Sequence, residues 1–328
     1  MKSNRIFLLS MILSMAGCQT APTHGTAQPA SPTRSTSAPT PSAAHSTATL
    51  RDLIGEYDNH SQRYSDGAAT NAAIPVPAMH QWLTATREAD AMLWRLRSGD
   101  EPNAVEGRWL VRESAGTLVP YRPLTANANA AFDGKGDYKF QTTDWAPLAA
   151  CTLKRGGSGF VLAVDAGACS SLLPGLGSSA ALLPQRVSLS DDTLVLATVS
   201  DMARGADATT TSHRVRWFTG WDAMNGGGPK ATTGKDWHLK RDLRLHSEGG
   251  RVPLQWRDGA ASGYSLELAR LFYKESNTEV LRLAVVEDVS GRTLSYVWAN
   301  PDATRIGLNI GWLQVGLDMD VAKDRNKQ

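Results

Sequence analysis

The sequence predicts a mainly β protein: an antiparallel barrel followed by an additional C-terminal antiparallel β unit. Two observations carry this. Beyond residue 105, short apolar runs recur every 8–12 residues, separated by Gly, Pro, Asn and Asp, the spacing of a barrel or sandwich. Within Trp237–His246, Trp237, Leu239, Arg241, Leu243 and Leu245 alternate with His238, Lys240, Asp242, Arg244 and His246, the period of a strand.

In chain order, residues 1–17 read as a secretory signal. Lys2 and Arg5 precede an apolar run from Ile6 to Met15, too short to span a bilayer. Ala16-Gly17-Cys18 resembles a lipobox, with lipidation at Cys18; an ordinary signal with a chance cysteine is the alternative. Gln19 after the cysteine favours the outer membrane, facing the periplasm or the cell surface. Of the thirty residues Gln19–Ala48, twenty-four are Ala, Pro, Ser or Thr. Residues 18–48 therefore read as a lipidated cysteine and a disordered tether spanning roughly 30 Å. Lys2 and Arg5 account for the excess of 34 basic over 32 acidic residues, so the exported chain is balanced. Without a cluster of excess Lys and Arg, nucleic acid is not an expected partner. Cys151 and Cys169 then remain as a pair, expected in an oxidising compartment to form a disulfide stabilising the fold by about 3 kcal/mol, with two inert buried thiols as the alternative.

Residues 49–224 are assigned to the barrel. Thr49 and Asp52 form a capping signal for a short helix with Leu50, Leu53, Ile54 and Tyr57 on one face. Helical periodicity survives only over Met79–Met92. Strands are expected at Arg108–Glu113, Thr117–Leu124, Tyr138–Thr142, Cys151–Arg155, Phe160–Val164, Arg186–Ser190, Thr193–Ser200 and His213–Phe218. Residues 225–235, rich in Gly, read as a linker. Residues 236–320 read as a second β unit, or as an extension of the first sheet, whose last strand, Arg305–Met319, changes phase near Gly311 as at a bulge. Residues 321–328 are a tail.

Chemistry-bearing motifs are sparse. There is no nucleophile elbow, phosphate loop or metal-spaced pair. Asp318, Asp320 and Asp324 only faintly resemble calcium ligands, since the central glycine and distal glutamate are missing. No metal site and no catalytic residue is assigned. His60 and His213 stand near polar motifs and read more readily as surface or core histidines than as bases. Trp109, Trp145, Trp217 and Trp221 could line a barrel mouth, although core packing is the commoner role.

Leu53-Ile54-Gly55-Glu56-Tyr57-Asp58-Asn59, with Gln62, resembles the opening motif of the CpeT/CpcT family of lipocalin-like phycobiliprotein chromophore lyases. Pro120-Tyr121-Arg122, the cysteine-bearing Leu148–Cys151 with Cys169, and Asp201–Gly205 follow in the family's order, so the resemblance covers about half the chain. It implies a lipocalin-like antiparallel barrel holding a small amphipathic, tetrapyrrole-like ligand such as a bilin. Asn59, Gln62, Tyr121 and Arg122 are the ligand contacts it implies. Arg122 is physically the best suited, because a guanidinium pairs with a carboxylate in bidentate fashion. Its alternative is an internal ion pair, with Tyr121 packed in the wall. Pro123 after Arg122 departs from the family pattern, as does the whole C-terminal unit. Family members act on cytoplasmic proteins whereas this chain carries an export signal, so fold and reaction need not travel together. The reading is a lipid-anchored extracytoplasmic binding protein with an envelope protein as a further partner. A bilin lyase and a structural lipoprotein with a filled barrel are the alternatives. Large inward aromatics would favour the last. Around Gly55–Gln62 the sequence shows no arranged base or nucleophile, and Asn59 and Gln62 fall on opposite faces if the strand continues.

Overall fold

The computed structural model describes residues 49–68, 76–99, 102–134, 139–156, 160–231, 234, 236–273 and 278–320. Cys18, the tether and Asp324 lie outside them. Among the described residues, no helix is long and apolar enough to cross a membrane.

Strand β1 (Gly55–Asp58) is followed by helix α1 (His60–Ala68). Then come β2 (Met79–Ala85), β3 (Ala91–Ser98), β4 (Val105–Ser114), β5 (Thr117–Pro123), helix α2 (Ala126–Ala130) and the short β6 (Trp145–Pro147). Strand β7 (Leu153–Arg155), β8 (Phe160–Ala163), helix α3 (Ala166–Ser170), β9 (Pro184–Ser190), β10 (Thr193–Thr198), helix α4 (Val199–Arg204) and β11 (Thr210–Arg214) complete the first half. Leaving β6 aside, each strand pairs antiparallel with the one before it, and β11 returns to β1 through Tyr57↔Arg214. The result is a closed ten-stranded antiparallel barrel, with β6 laid against the end of β5.

Alternation along the strands fills the lumen. Tyr57, Met79, Leu83, Met92, Trp94 and Trp109 point inward, each at most 2% exposed. The 3-10 turn Leu50–Leu53 adds Leu50 and Leu53 to this core, and Leu182 and Leu183 also join it. Thr49 and Asp52 do form a capping box on that turn. Several inward polar atoms are satisfied within this core, although Trp109 Nε1 is not. Trp94 Nε1 donates to Gln81 Oε1 at 3.2 Å, Gln81 Nε2 donates to Ser212 Oγ at 3.1 Å, and the Tyr57 hydroxyl donates to Leu53 O at 3.2 Å. Burial pushes the Tyr57 hydroxyl up to about 12, so it remains a donor. The lumen is thus packed with large side chains, the arrangement that favours a filled barrel over a central ligand cavity.

Strand β12 (Trp217–Asn225) opens the second half, followed by β13 (Trp237–His246), β14 (Glu248–Gln255), β15 (Ala261–Tyr273), β16 (Thr278–Glu287), β17 (Thr293–Ala299), β18 (Arg305–Asn309) and β19 (Leu313–Met319). They form two four-stranded antiparallel sheets, β13-β12-β19-β18 and β14-β15-β16-β17. A second core lies between the sheets. It is built from Phe218, Met224, ten leucines and a few other aliphatic side chains.

Several sequence expectations change here. Met79–Met92 is not helical: β2 and β3 pair as a hairpin, Met79↔Ser98 to Ala85↔Met92. Residues 139–141 form no strand, and Thr142–Asp144 is a 3-10 turn; Tyr138 lies outside the described residues. The second half begins at Trp217, because β12 pairs with β13 and β19 and contributes Phe218 to the second core. Arg305–Met319 is a hairpin, not one bulged strand. Gly311 sits in its turn with φ 87°, a conformation that favours glycine. Cys151 and Cys169 are bonded as expected, joining the 3-10 turn before β7 to α3 after β8.

Candidate functional site

The segment Gly55–Gln62 divides at Asn59 into strand and helix. In β1, Tyr57 faces the lumen, so Glu56 and Asp58 face out. Gly55 leaves room for the Arg214 guanidinium, which a larger residue would displace. A Cβ there would lie 2.3 Å from Arg214 Nη1, which donates to Ile54 O at 2.5 Å while its guanidinium lies over the Tyr57 ring. Asp58 Oδ1 ends the strand by accepting from His60 N at 2.7 Å, which starts α1.

Strand β2 brings His80 opposite Asp58, and Glu56 stands opposite Trp82. His80 lies between the two carboxylates, with Nδ1 2.7 Å from Asp58 Oδ2 and Nε2 2.8 Å from Glu56 Oε1. Burial alone would disfavour the charged ring. The hydrogen bonds and charges of Asp58 and Glu56 outweigh it and push His80 up to about 9. Burial likewise works against the Glu56 carboxylate, but His80 and Trp217 hold it below the usual range. Trp217 Nε1 donates to Glu56 Oε2 at 2.8 Å, so the trio reaches from the barrel to β12. The ring of His246, at the end of β13, lies edge-on to both Trp217 and His80. Burial and the neighbouring His80 charge lower the His246 pKa. This cluster, in which His80 is a shared cation between two carboxylates, was not anticipated from the sequence.

A buried layer continues it. Ser61 Oγ lies 3.0 Å from Glu248 Oε2, and Arg270 Nε lies 3.2 Å from Glu248 Oε1. Arg270 Nη1 also reaches Asp192 at 3.1 Å. Burial pushes the Glu248 carboxyl up to about 8 against the pull of Arg270. Ser61 is itself buried, and the described residues contain no group of His, Cys, Asp or Glu fit to hold a metal. This layer ties α1 and the β9–β10 turn to β14 and β15. It is a polar joint and has no open reaction site.

An accessible cleft of about 280 Å³ lies elsewhere, at the end of the barrel where β4 begins and β5 finishes. Glu106, Arg108, Trp109, Arg122, Asn129 and Leu176 are among its lining residues. Glu106 is engaged by Arg95 Nε at 2.9 Å and Arg108 Nε at 2.5 Å. Burial opposes its charge, but these two cations hold it below the usual carboxylate range. Arg122, exposed at the strand end, has no carboxylate or hydrogen-bond partner among the described residues. Trp109 is 1% exposed, yet its Nε1 has no acceptor. Gly107 makes room for that nitrogen, since a Cβ there would lie 3.0 Å from it. The cleft thus combines a partnerless cation with an unused, desolvated donor, two groups suited to an anionic acceptor.

The four residues implied by the family resemblance do not converge. Asn59 is fully buried: Nδ2 donates to Pro77 O and Oδ1 accepts from Met79 N, both at 2.8 Å. Gln62 bonds the backbone of Thr209 and Thr211. Both therefore anchor α1, and because β1 ends at Asp58 they do not alternate along a strand. Tyr121 packs on the outer face, 5.9 Å from the Phe140 ring, beside the satellite core of Leu93, Leu110 and Trp145. Only Arg122 lines the cleft. Trp109 and Trp145 are buried, Trp217 serves the His80 trio, and Trp221 lies exposed on the outer face of β12. His213 lies 3.3 Å from Thr193 Oγ1 and His60 packs against Gly249. Asp318 pairs with Arg305 at 2.5 Å.

Comparison with protein-family models, curated proteins and solved structures returns no match for this chain.

Proposed function

We propose that the chain is an exported, lipid-anchored binding protein whose CpeT/CpcT-like barrel takes a small amphipathic ligand at its rim. The carrying observation is the pairing of partnerless Arg122 with the orphaned donor of Trp109 in one cleft. A volume of about 280 Å³ sits just below the usual range for small-molecule sites, roughly 300–1,000 Å³. Such a cleft suits a propionate-bearing arm of a tetrapyrrole, or a smaller carboxylate, with the remainder outside. The packed lumen argues against a ligand held in the barrel centre. It also favours the competing reading, a structural envelope lipoprotein with no ligand.

Titration with biliverdin, followed by visible absorbance, separates the two. The binding reading expects a spectral shift that Arg122→Ala weakens at least tenfold while the melting temperature stays within a few degrees. No shift at any concentration supports the structural reading, and a large stability loss in the variant makes Arg122 an internal brace. Anchoring has its own test: Cys18→Ser should move the protein from the membrane to the soluble fraction. Continued membrane association of that variant contradicts the lipid anchor.

A further inference from the structure

The second core contains a group that packing alone does not explain. Asp222 lies on the inward face of β12, between Phe218 and Met224, which both belong to that core. It is 2% exposed, and its Oδ2 has no partner. Lys240 stands directly opposite on β13 but sends its ammonium to Gln255 Oε1 of β14, 2.8 Å away. The Asp222 carboxylate therefore has neither an ion pair nor a hydrogen bond with the described residues, and Lys240 and His238 act on it only as charges at longer range. An unpaired carboxylate in an aliphatic core is among the costliest groups a fold can hold, and an apolar residue of similar size would pack there more favourably.

The surroundings indicate what would satisfy it. The core around it is mostly leucine. At the end of the unit where β12 finishes, Asn225, Trp237, Ile310 and Trp312 line a cleft of about 360 Å³. Ile310 and Trp312 also pack on the core, and Trp312 lies 5.0 Å from the Tyr264 ring. Along β12, Met224 separates this cleft from Asp222, and an unbranched thioether side chain readily changes rotamer. Carboxylate, aromatic rings and aliphatic wall complement a single-chain amphiphile with a cationic head.

We propose that the second β unit holds a ligand site for such an amphiphile, anchored by Asp222 and entered from the Trp237–Trp312 cleft. The site is independent of the Arg122 cleft. Decylammonium, decanoate and decanol, each below its micelle-forming concentration, can be titrated into the full chain with tryptophan fluorescence as readout. Decylammonium should bind at least tenfold more tightly than the other two. Asp222→Asn should weaken decylammonium at least tenfold while leaving the melting temperature unchanged or higher. Lys240→Met, at the partly exposed neighbour, removes a competing charge and should tighten it. Equal affinity for the three amphiphiles, no binding of any, or unchanged decylammonium affinity in Asp222→Asn overturns the proposal. Lowered stability or misfolding of Asp222→Asn, or weakened binding in Lys240→Met, also overturns it.

Discussion

Replacing His80 by Gln removes the cation that Glu56 and Asp58 share while keeping a side chain of similar length. The wild-type ring is held near 9, against about 6.5 for an unperturbed histidine, a difference on the order of 3 kcal/mol of folded-state stability. The sign follows from proton binding. A raised folded pKa means the folded chain holds the extra proton, so the contribution is complete below about pH 6.5. It is lost as pH rises from there through about 9. His80→Gln should therefore be less stable than wild type by about 3 kcal/mol at pH 6, with the gap closing by about pH 9.5. Urea unfolding between pH 6 and pH 9.5, followed by both tryptophan fluorescence and circular dichroism, measures it. A gap under about 0.5 kcal/mol at pH 6, or one that does not narrow with pH, refutes the charged-histidine reasoning.

Cys151→Ser with Cys169→Ser opens a loop of 18 residues' separation and should lower stability by about 3 kcal/mol; urea midpoints at constant slope would register it. Asn59→Ala leaves Met79 N and Pro77 O unpaired in the interior, an expected loss of about 2 kcal/mol by the same measurement. Gln62→Ala should cost less, because that side chain is only half-buried.

Local signals were legible where a single element satisfied them. The alternation of Trp237–His246 is strand β13, and the Thr49–Asp52 capping box closes the first turn. Gly311 misled because a bulge and a tight turn both call for glycine, and only the pairing Asn309↔Gln314 distinguishes them. Helix α1 was hidden because His60-Ser61-Gln62-Arg63 offers no apolar stripe. It is held instead by Ser61 at Glu248 and Gln62 at Thr211, contacts far away in sequence. The His80 trio depends on the β1–β2 register, which the sequence does not state. Its one visible trace is that Glu56 and Asp58 flank an inward tyrosine and so must share a face. Arg122 was found for its chemistry, whereas Trp109 became informative only once its nitrogen was seen to lack an acceptor.

Native mass spectrometry of the protein purified from membranes, compared with Arg122→Ala, tests the binding reading most directly. Wild type should carry a small carboxylate-bearing molecule in noncovalent complex, and the folded variant should lack it. An empty wild-type protein that also fails to take up biliverdin, or the same bound mass in both proteins, would contradict a ligand at the Arg122 cleft.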